Sequence, residues 1–193
     1  LTCELAKHGH QMIGVEPSSQ MLEMARKSIC GKHVKWIEGN ALSLGEYDAD
    51  LTIMTGHVAQ FHLDDENWSN SLNAIYKALR PGGSLAFESR NPAVQPWVTH
   101  QEHIDWHSVT SPRLVTDPVE GALETWSEPV KTEGGSVTFR NHYLLKKTGE
   151  KLISINELVF RTQEEITLSI QKAGFSVDKI YGFWDWSLAT PES

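Results

Sequence analysis

The chain has 193 residues, enough for one domain with an elaboration, and its 17 basic and 25 acidic side chains give a formal net charge of -8. This balance argues against nucleic acid as the main ligand, because no broad cationic surface is left to neutralise phosphates. The two cysteines, Cys3 and Cys30, are too few for a disulfide framework, and no apolar run is long enough to span a membrane. We therefore expect a soluble, cytoplasmic protein.

The first part of the chain alternates short apolar runs with amphipathic segments. Glu16 closes one such run, Pro17 is placed to begin a helix, and Asp64 and Asp65 are placed to cap a later one. Strands that alternate with helices through short loops predict a doubly wound, mostly parallel α/β sheet. The predicted elements are a helix over residues 1–8, a strand over 11–15, a helix from Pro17, strands over 33–38 and 50–55, and a helix from Asp64 to Leu79.

The segment from Ala78 to Glu88 fixes this fold class. Pro81 cannot continue the preceding helix, and Gly82 and Gly83 can take the positive φ that a reversal needs. Residues 84–87 are short and mostly apolar, as in a strand covered on both faces. The pattern predicts a crossover helix that delivers a parallel strand.

The pattern changes after Pro92. Residues 92–120 contain four prolines and predict an irregular or partly helical segment, whereas the following residues predict an antiparallel meander. Thr162 and Glu165 match a capping box for a helix that Gly174 ends, and residues 175–183 predict a last strand. We therefore expect an α/β core of residues 1–91 and 162–193, with an inserted meander or lid over 92–161 whose strands lie at 123–131, 136–147 and 151–160.

Ligands of parallel α/β sheets bind beyond the carboxyl ends of the strands. Glu16 lies at such an end, and its two carboxylate oxygens can accept both hydroxyls of a ribose; a simple helix N-terminal charge explains it equally well. Dinucleotide-binding folds also place an acid here, so Glu16 alone does not identify a cofactor. The other predicted strand ends carry Asn40, residues 55–57 and residues 88–90.

Three features together resemble the class I S-adenosylmethionine-dependent methyltransferases. They are Glu16 followed by Pro-Ser-Ser-Gln-Met-Leu, the sequence Gly39-Asn40-Ala41 after the next strand, and the turn from Leu79 to Gly83. The resemblance extends through residues 54–61, covers nearly the whole chain, and is nearest to members that act on small molecules. It implies a Rossmann-like sheet with an antiparallel insertion after the fifth strand, S-adenosylmethionine as cofactor, and methyl transfer to a small-molecule acceptor.

The resemblance also assigns roles to residues. It implies that Glu16 holds the ribose, that Pro17 and Met21 border the adenine, that Asn40 and Ala41 face its edge, and that Thr55, Gly56 and His57 lie along the cofactor. Many members have Asp at the position of Asn40. The family's glycine-rich loop and central first strand are not in this sequence, so we expect upstream residues that supply them, and likewise a final antiparallel strand beyond Ser193.

Acceptor-side candidates follow from residue type and place. His57, at a strand end, is a weak candidate for a general base, and a hydrogen-bonded loop histidine is the plainer interpretation. Gln60 and Arg90 are candidates for orienting a polar or anionic substrate, and Trp184 for lining its pocket. Most other tryptophans are better explained as packing residues, and we expect no metal site, although His100, His103 and His107 would share a face of a helix.

Other functions remain open from the residues alone. A nicotinamide-dependent oxidoreductase would need an upstream glycine fingerprint and a proton donor such as a Tyr-Lys pair, which the sequence does not show. A non-enzymatic binding domain of the same fold is a second alternative, and a histidine-based metalloenzyme a more distant third. We expect no nucleic-acid or membrane partner, and a homodimer stays open.

Overall fold

The computed structural model describes residues 1–28, 30–94, 112–117 and 121–190. The chain divides into two compact units. The first unit consists of Leu1–Ile53 and Ser69–Ala86, and the second consists of Met54–Trp68 and Phe87–Ser193. The compact units do not correspond to the predicted core of 1–91 with 162–193 and the predicted insertion of 92–161, and they do not test that division. It stays a prediction.

The first unit begins with a helix, a strand, a helix and a strand. These are α1 (Thr2–Lys7), β1 (Met12–Glu16), α2 (Ser19–Lys27) and β2 (Val34–Glu38). β1 and β2 pair in parallel, and Glu16 stands in register with Glu38. Gly14 is required in β1, because a Cβ there would overlap the ring of Trp36 on β2. The two strands therefore end at one edge, with Glu16 and the loop after Glu38 together.

A second strand pair consists of β3 (Ala49–Met54) and β4 (Leu79–Phe87), joined by α3 (Asp65–Ala78). β4 begins at Leu79, earlier than the predicted start at residue 84, because the strand includes the proline-glycine segment, in which Gly82 takes the predicted positive φ of 77°. A Cβ on Gly83 would lie 2.8 Å from the carbonyl oxygen of Ala49, so this close approach requires glycine. The α/β class is confirmed, and its strands in the described ranges form two separate pairs.

The second unit contains an antiparallel sheet in which neighbours in sequence are neighbours in space. The predicted meander is confirmed as β6, β7 and β8, and β5 pairs with β6 in a region where we expected irregular or partly helical chain. β5 is a strand because it pairs with β6, and the local sequence of β5 does not reveal this pairing. The strands are β5 (Arg113–Asp117), β6 (Gly121–Glu133), β7 (Ser136–Leu145) and β8 (Lys151–Val159).

Alternating side chains of β7 and β8 form the core of the second unit. Val137, Phe139, Leu158 and Phe160 are all at least 93% buried, as expected for one face of a strand pair with period two. The other face of β7 carries polar residues. Asn141 shares the face of Val137 and Phe139, so this face carries both apolar and polar side chains.

The segment after β8 continues into α4 (Gln163–Lys172), whose predicted capping box is present. Thr162 accepts a hydrogen bond from the backbone N–H of Glu165, and the Glu165 carboxylate accepts one from the backbone N–H of Thr162. Just before it, the buried Arg161 donates to the carbonyl oxygen of His62 at 2.9 Å and to Asp65 at 3.0 Å. These bonds join the start of α3 to the end of the meander.

The predicted strand over residues 175–183 is wrong. The segment instead folds back on itself, with an isolated antiparallel bridge between Tyr181 and Leu188. The backbone N–H of Gly182 donates to Ser187, and that of Ala189 donates to Ile180. Because these backbone groups pair within the loop, none of them extends a neighbouring sheet.

Cys3 and Cys30 form a disulfide that connects α1 to the chain just beyond α2, with Cα atoms 5.2 Å apart. The sequence predicts no disulfide framework, and this single bond forms because the two cysteines, 27 positions apart, meet when β1 and α2 pack on α1. Disulfides are typical of oxidising compartments, so this bond does not favour the expected cytoplasmic location. Within the described ranges, no helix has the length and apolar character needed to cross a bilayer.

Candidate functional site

Glu16 ends β1 in a half-buried position, with one carboxylate oxygen occupied. Its Oε1 accepts a hydrogen bond from the backbone N–H of Ser18 at 2.9 Å, which shapes the entry to α2. Its backbone carbonyl accepts from Gly39 at 3.1 Å, which ties the two strand ends together. Oε2 receives no hydrogen bond from the described part of the chain. The carboxylate therefore has acceptor capacity left for a ligand.

Asn40 lies two residues beyond the end of β2 and is oriented by its own loop. Its Oδ1 accepts from the backbone N–H of Leu42 at 2.9 Å and so caps a short 3₁₀ helix, Ala41–Ser43. Its Nδ2 group has no partner among the residues that the structure describes. Asn40 thus offers a fixed amide donor at the edge where Glu16 offers a carboxylate acceptor.

The other predicted adenine contacts lie on the same unit. Pro17 and Met21 are exposed, Met21 by 55%, and Ala41 is half-buried in the 3₁₀ helix. Ser18 is the N-cap of α2 and accepts from the backbone N–H of Met21, so Pro17 precedes the cap and does not form the first turn as predicted. An exposed methionine side chain beside two polar groups fits the apolar face and polar edges of a nucleoside.

A second group of predicted residues lies in the second unit, where β3 ends. Thr55 and Gly56 are exposed, and His57 adopts a left-handed backbone with φ 65° before the 3₁₀ helix Val58–Phe61. A non-glycine residue seldom takes this conformation, and such strain occurs mostly at functional sites. The backbone N–H of His57 donates to Glu88 Oε1 at 2.8 Å. Glu88 therefore holds the turn in place.

The imidazole of His57 is neutral near pH 7. Burial lowers its pKa below the ordinary value of 6.5, the Arg90 guanidinium lowers it further, and Glu88 opposes both effects. Nδ1 lies 3.9 Å from Glu88 Oε1, too far for a hydrogen bond, and is buried with no partner in the described ranges. The His57 side chain is therefore uncharged, and its Nδ1 makes no hydrogen bond with the described residues.

Gln60 and Arg90, each predicted as a candidate for orienting a substrate, lie next to each other in the structure. Arg90 Nη1 donates to Gln60 Oε1 at 3.4 Å. Gln60 is only 1% exposed, and its Nε2 is a buried donor with no partner among the described residues. A buried, unsatisfied amide costs about 1–3 kcal/mol, so a bound oxygen acceptor would relieve a real penalty.

A cavity of about 160 Å³ lies between the 3₁₀ helix Val58–Phe61 and the face of the meander that carries Phe139 and Leu158. Its apolar lining consists of Phe61, Phe139 and Leu158. Its polar lining comes from four side chains: Arg90, Ser127, Asn141 and Asn156. Of the residues predicted for substrate binding, Arg90 therefore lines it directly and Gln60 supports Arg90 from behind.

Parts of this chain resemble known proteins. Residues 1–83 match a family model described as a methyltransferase domain. The chain is 28% identical over 87 residues to an uncharacterized methyltransferase of Oceanobacillus iheyensis, covering 45% of this chain and 40% of that protein. The chain thus spans about 40% of the length of the curated relatives that it matches.

Solved structures extend the likeness beyond residue 83. The CcbJ methyltransferase of Streptomyces caelestis aligns over 98% of this chain and 73% of its own, with TM-score 0.74 and 20% identity. The chain has the class I methyltransferase fold. An S-adenosylmethionine-dependent methyltransferase of Clostridium acetobutylicum (TM-score 0.71, 12% identity, 93% and 70% coverage) and the sugar N-methyltransferase KedS8 of Streptoalloteichus (0.73, 16%, 95% and 69%) share it.

The structure does not bring every predicted residue to a site. Trp184 is 81% exposed at the tip of the terminal loop and does not line the cavity. Sequence reasoning missed the meander residues Ser127, Asn141 and Asn156. Polar residues at alternate positions of a predicted strand were the only available signal, and most such residues face solvent.

A metal site and a second groove are the other candidates, and neither involves the predicted cofactor or substrate residues. Among residues 1–28, 30–94, 112–117 and 121–190 there is no group of three potential metal ligands, and His100, His103 and His107 lie outside those ranges. A larger groove of about 740 Å³ in the first unit runs past Leu42 and the exposed face of α3. None of the predicted site residues lines it.

Proposed function

We propose that this protein transfers a methyl group from S-adenosylmethionine to a small-molecule acceptor. The observation that carries the proposal is the pairing of Glu16 and Asn40 at the carboxyl ends of two adjacent parallel strands. Glu16 Oε1 and Asn40 Oδ1 each accept a hydrogen bond that holds the loop, while Glu16 Oε2 and Asn40 Nδ2 have no partner among the described residues. A carboxylate acceptor and an amide donor at this edge match a ribose diol and the ring nitrogens of adenine.

Within this proposal, S-adenosylmethionine would supply an electrophilic methyl group on its sulfonium. Glu16 would accept hydrogen bonds from the ribose hydroxyls, and Asn40 would donate from Nδ2 to the adenine edge. Pro17, Met21 and Ala41 would contact the base, and Thr55 and Gly56 would lie along the cofactor. The chain thereby contributes positioning, which is the main requirement of an in-line displacement.

His57 is the side chain best suited to receive a proton from the acceptor. Its imidazole is neutral because burial and Arg90 lower its pKa, and its Nδ1 has no competing hydrogen bond in the described ranges. A neutral imidazole can accept a proton as the acceptor atom gains a methyl group. Glu88 fixes the backbone of the same turn and lies close enough to stabilise the resulting cation.

The acceptor is proposed to be a small molecule because the second unit offers a cavity of about 160 Å³ with Arg90 in its wall. The acidic net charge disfavours nucleic acid. KedS8, one of the structural neighbours, acts on a sugar, which supports the same size class. A cytoplasmic location, the absence of a membrane partner and a homodimeric state belong to the proposal as expectations.

Calorimetric titration of the natural full-length protein with S-adenosylhomocysteine and, separately, with NADH tests the proposed function. We expect saturable binding of S-adenosylhomocysteine and none of NADH. Both ligands present a ribose to Glu16, so only the groups beyond the nucleoside distinguish them. Binding of NADH, or of neither ligand, would remove the basis for methyl transfer.

A further inference from the structure

The cavity in the second unit has a hydrogen-bonding pattern that specifies its ligand more closely than size does. Ser127, Asn141 and Ser154 stand opposite one another on β6, β7 and β8. Ser127 Oγ donates to Asn141 Oδ1 at 2.5 Å, and Asn141 Nδ2 donates to Ser154 Oγ at 3.3 Å. This row consumes both ends of the Asn141 amide and fixes its orientation.

Asn156 is the next polar residue on the same face, opposite Phe139 in the strand register. It lines the cavity, and its amide makes no hydrogen bond with the residues that the structure describes. One amide supplies two donors and an acceptor, which match a hydroxyl or another neutral polar group. Asn156 is therefore the meander side chain available to recognise a ligand.

The charge of the lining excludes one class of acceptor. Among the residues that the structure describes, no carboxylate lines the cavity, and Arg90 is the one charged side chain in its lining. Glu128 is next to Ser127 in sequence, but successive residues of a strand point to opposite faces. It is held there by Arg140 at 2.8 Å and by His142 at 3.1 Å. A cationic ring in this cavity would therefore be desolvated without a countercharge from the described part of the chain.

The volume and the apolar lining of the cavity limit the size and shape of its ligand. A cavity of about 150 Å³ holds one six-membered ring, and this one measures about 160 Å³. Phe61 and Phe139 provide surfaces for the ring face. We infer that this cavity binds the methyl acceptor as a neutral single ring bearing hydroxyl groups, with Asn156 as a residue that determines specificity. This inference rests on the proposed methyl transfer, since the acceptor is defined by that reaction.

Saturation-transfer NMR on the full-length protein with bound S-adenosylhomocysteine tests the inference. Three single-ring probes are compared: methyl β-D-glucopyranoside, cyclohexylammonium and cyclohexanecarboxylate. The neutral glucoside is expected to give the strongest response. Asn156→Leu, similar in size but without hydrogen bonds, should weaken glucoside binding about fivefold or more, while leaving the affinity for S-adenosylhomocysteine unchanged.

Ile155→Ala is the matched control, because Ile155 is adjacent on β8, points to the opposite face and is 65% exposed. It should leave all three responses unchanged. A stronger response from either charged ring, or an unchanged glucoside affinity in Asn156→Leu, would overturn the inference. If the unmodified protein does not bind S-adenosylhomocysteine, the proposed function is contradicted. Failure of the inference about the acceptor can therefore be distinguished from failure of the proposed function.

Discussion

His57 combines an uncommon backbone conformation with a ring nitrogen, Nδ1, that has no partner in the described ranges, and Glu88 stabilises the backbone conformation. The hydrogen bond from the His57 backbone N–H to Glu88 Oε1, 2.8 Å long, stabilises a left-handed residue whose conformation would otherwise cost about 1–3 kcal/mol. Within the part of the chain that the structure describes, Nδ1 of the ring has no such partner, and burial lowers the pKa of the ring so that it is neutral. A neutral ring held on a strained turn is suited to accept a proton and return it to solvent.

We predict that methyl transfer loses rate as pH falls below 6.5 and is constant around pH 7. The pKa of His57 in the folded protein lies below its ordinary 6.5 because burial and Arg90 disfavour the imidazolium. Protonation removes the acceptor form of the ring, so kcat/KM should fall in acid and show no loss above pH 6.5. His57→Gln, which cannot titrate, should abolish this acid limb.

The measurement is kcat/KM between pH 5 and 8 for both proteins. His62→Gln is the matched control, because His62 also has a lowered pKa through burial and Arg161. It is not among the proposed acceptor-side residues. An acid limb that lies above pH 6.5, or that persists unchanged in His57→Gln, would show that another group carries the proton.

At the scale of elements, sequence patterns predicted what depends on local periodicity. The strands around Glu16 and the cap at Thr162 follow from residues close in sequence, so they were predictable. β5 depends on pairing with β6, and its preceding Pro112 indicates irregular chain, so it was missed. The role of Asn156 depends on its register opposite Phe139, which only the folded meander defines. The terminal segment was predicted as a strand from its local sequence. Its actual backbone pairing, within residues 180–189, depends on the chain folding back on itself, which the local sequence does not signal.

Reduction of the Cys3–Cys30 disulfide should destabilise the first unit. The bond closes a loop over a sequence separation of 27 residues that contains β1 and α2. Removing this constraint from the unfolded chain corresponds to about 3 to 4 kcal/mol in the chain-entropy model. The expected result is a lower free energy of unfolding by that amount in urea titrations with reducing agent.

A double variant, Cys3→Ser with Cys30→Ser, provides the control for this prediction. It should match the reduced protein and show no further response to reducing agent. Equal stability of the oxidised and reduced proteins would mean that the disulfide does not form in solution, as expected for a protein from a reducing compartment.

At the scale of the whole molecule, each unit carries a separate part of the proposed chemistry. The first unit presents Glu16 and Asn40 at the end of its parallel strand pair. The second contains the His57 turn and the polar cavity of the meander. This separation predicts that substitutions in the meander change acceptor affinity without changing cofactor affinity. Substitutions at the parallel strand ends should have the opposite effect.

The most direct test of this account is the affinity of Glu16→Gln for S-adenosylhomocysteine, measured by calorimetry. The glutamine keeps an oxygen to accept from Ser18 but loses the charge and one acceptor, so the fold should be retained. We predict that affinity weakens about tenfold or more, as expected for loss of a charged hydrogen bond. Glu23→Gln, an exposed α2 residue paired with Lys27, should bind normally. Unchanged affinity in Glu16→Gln would contradict the assignment of the ribose to this carboxylate.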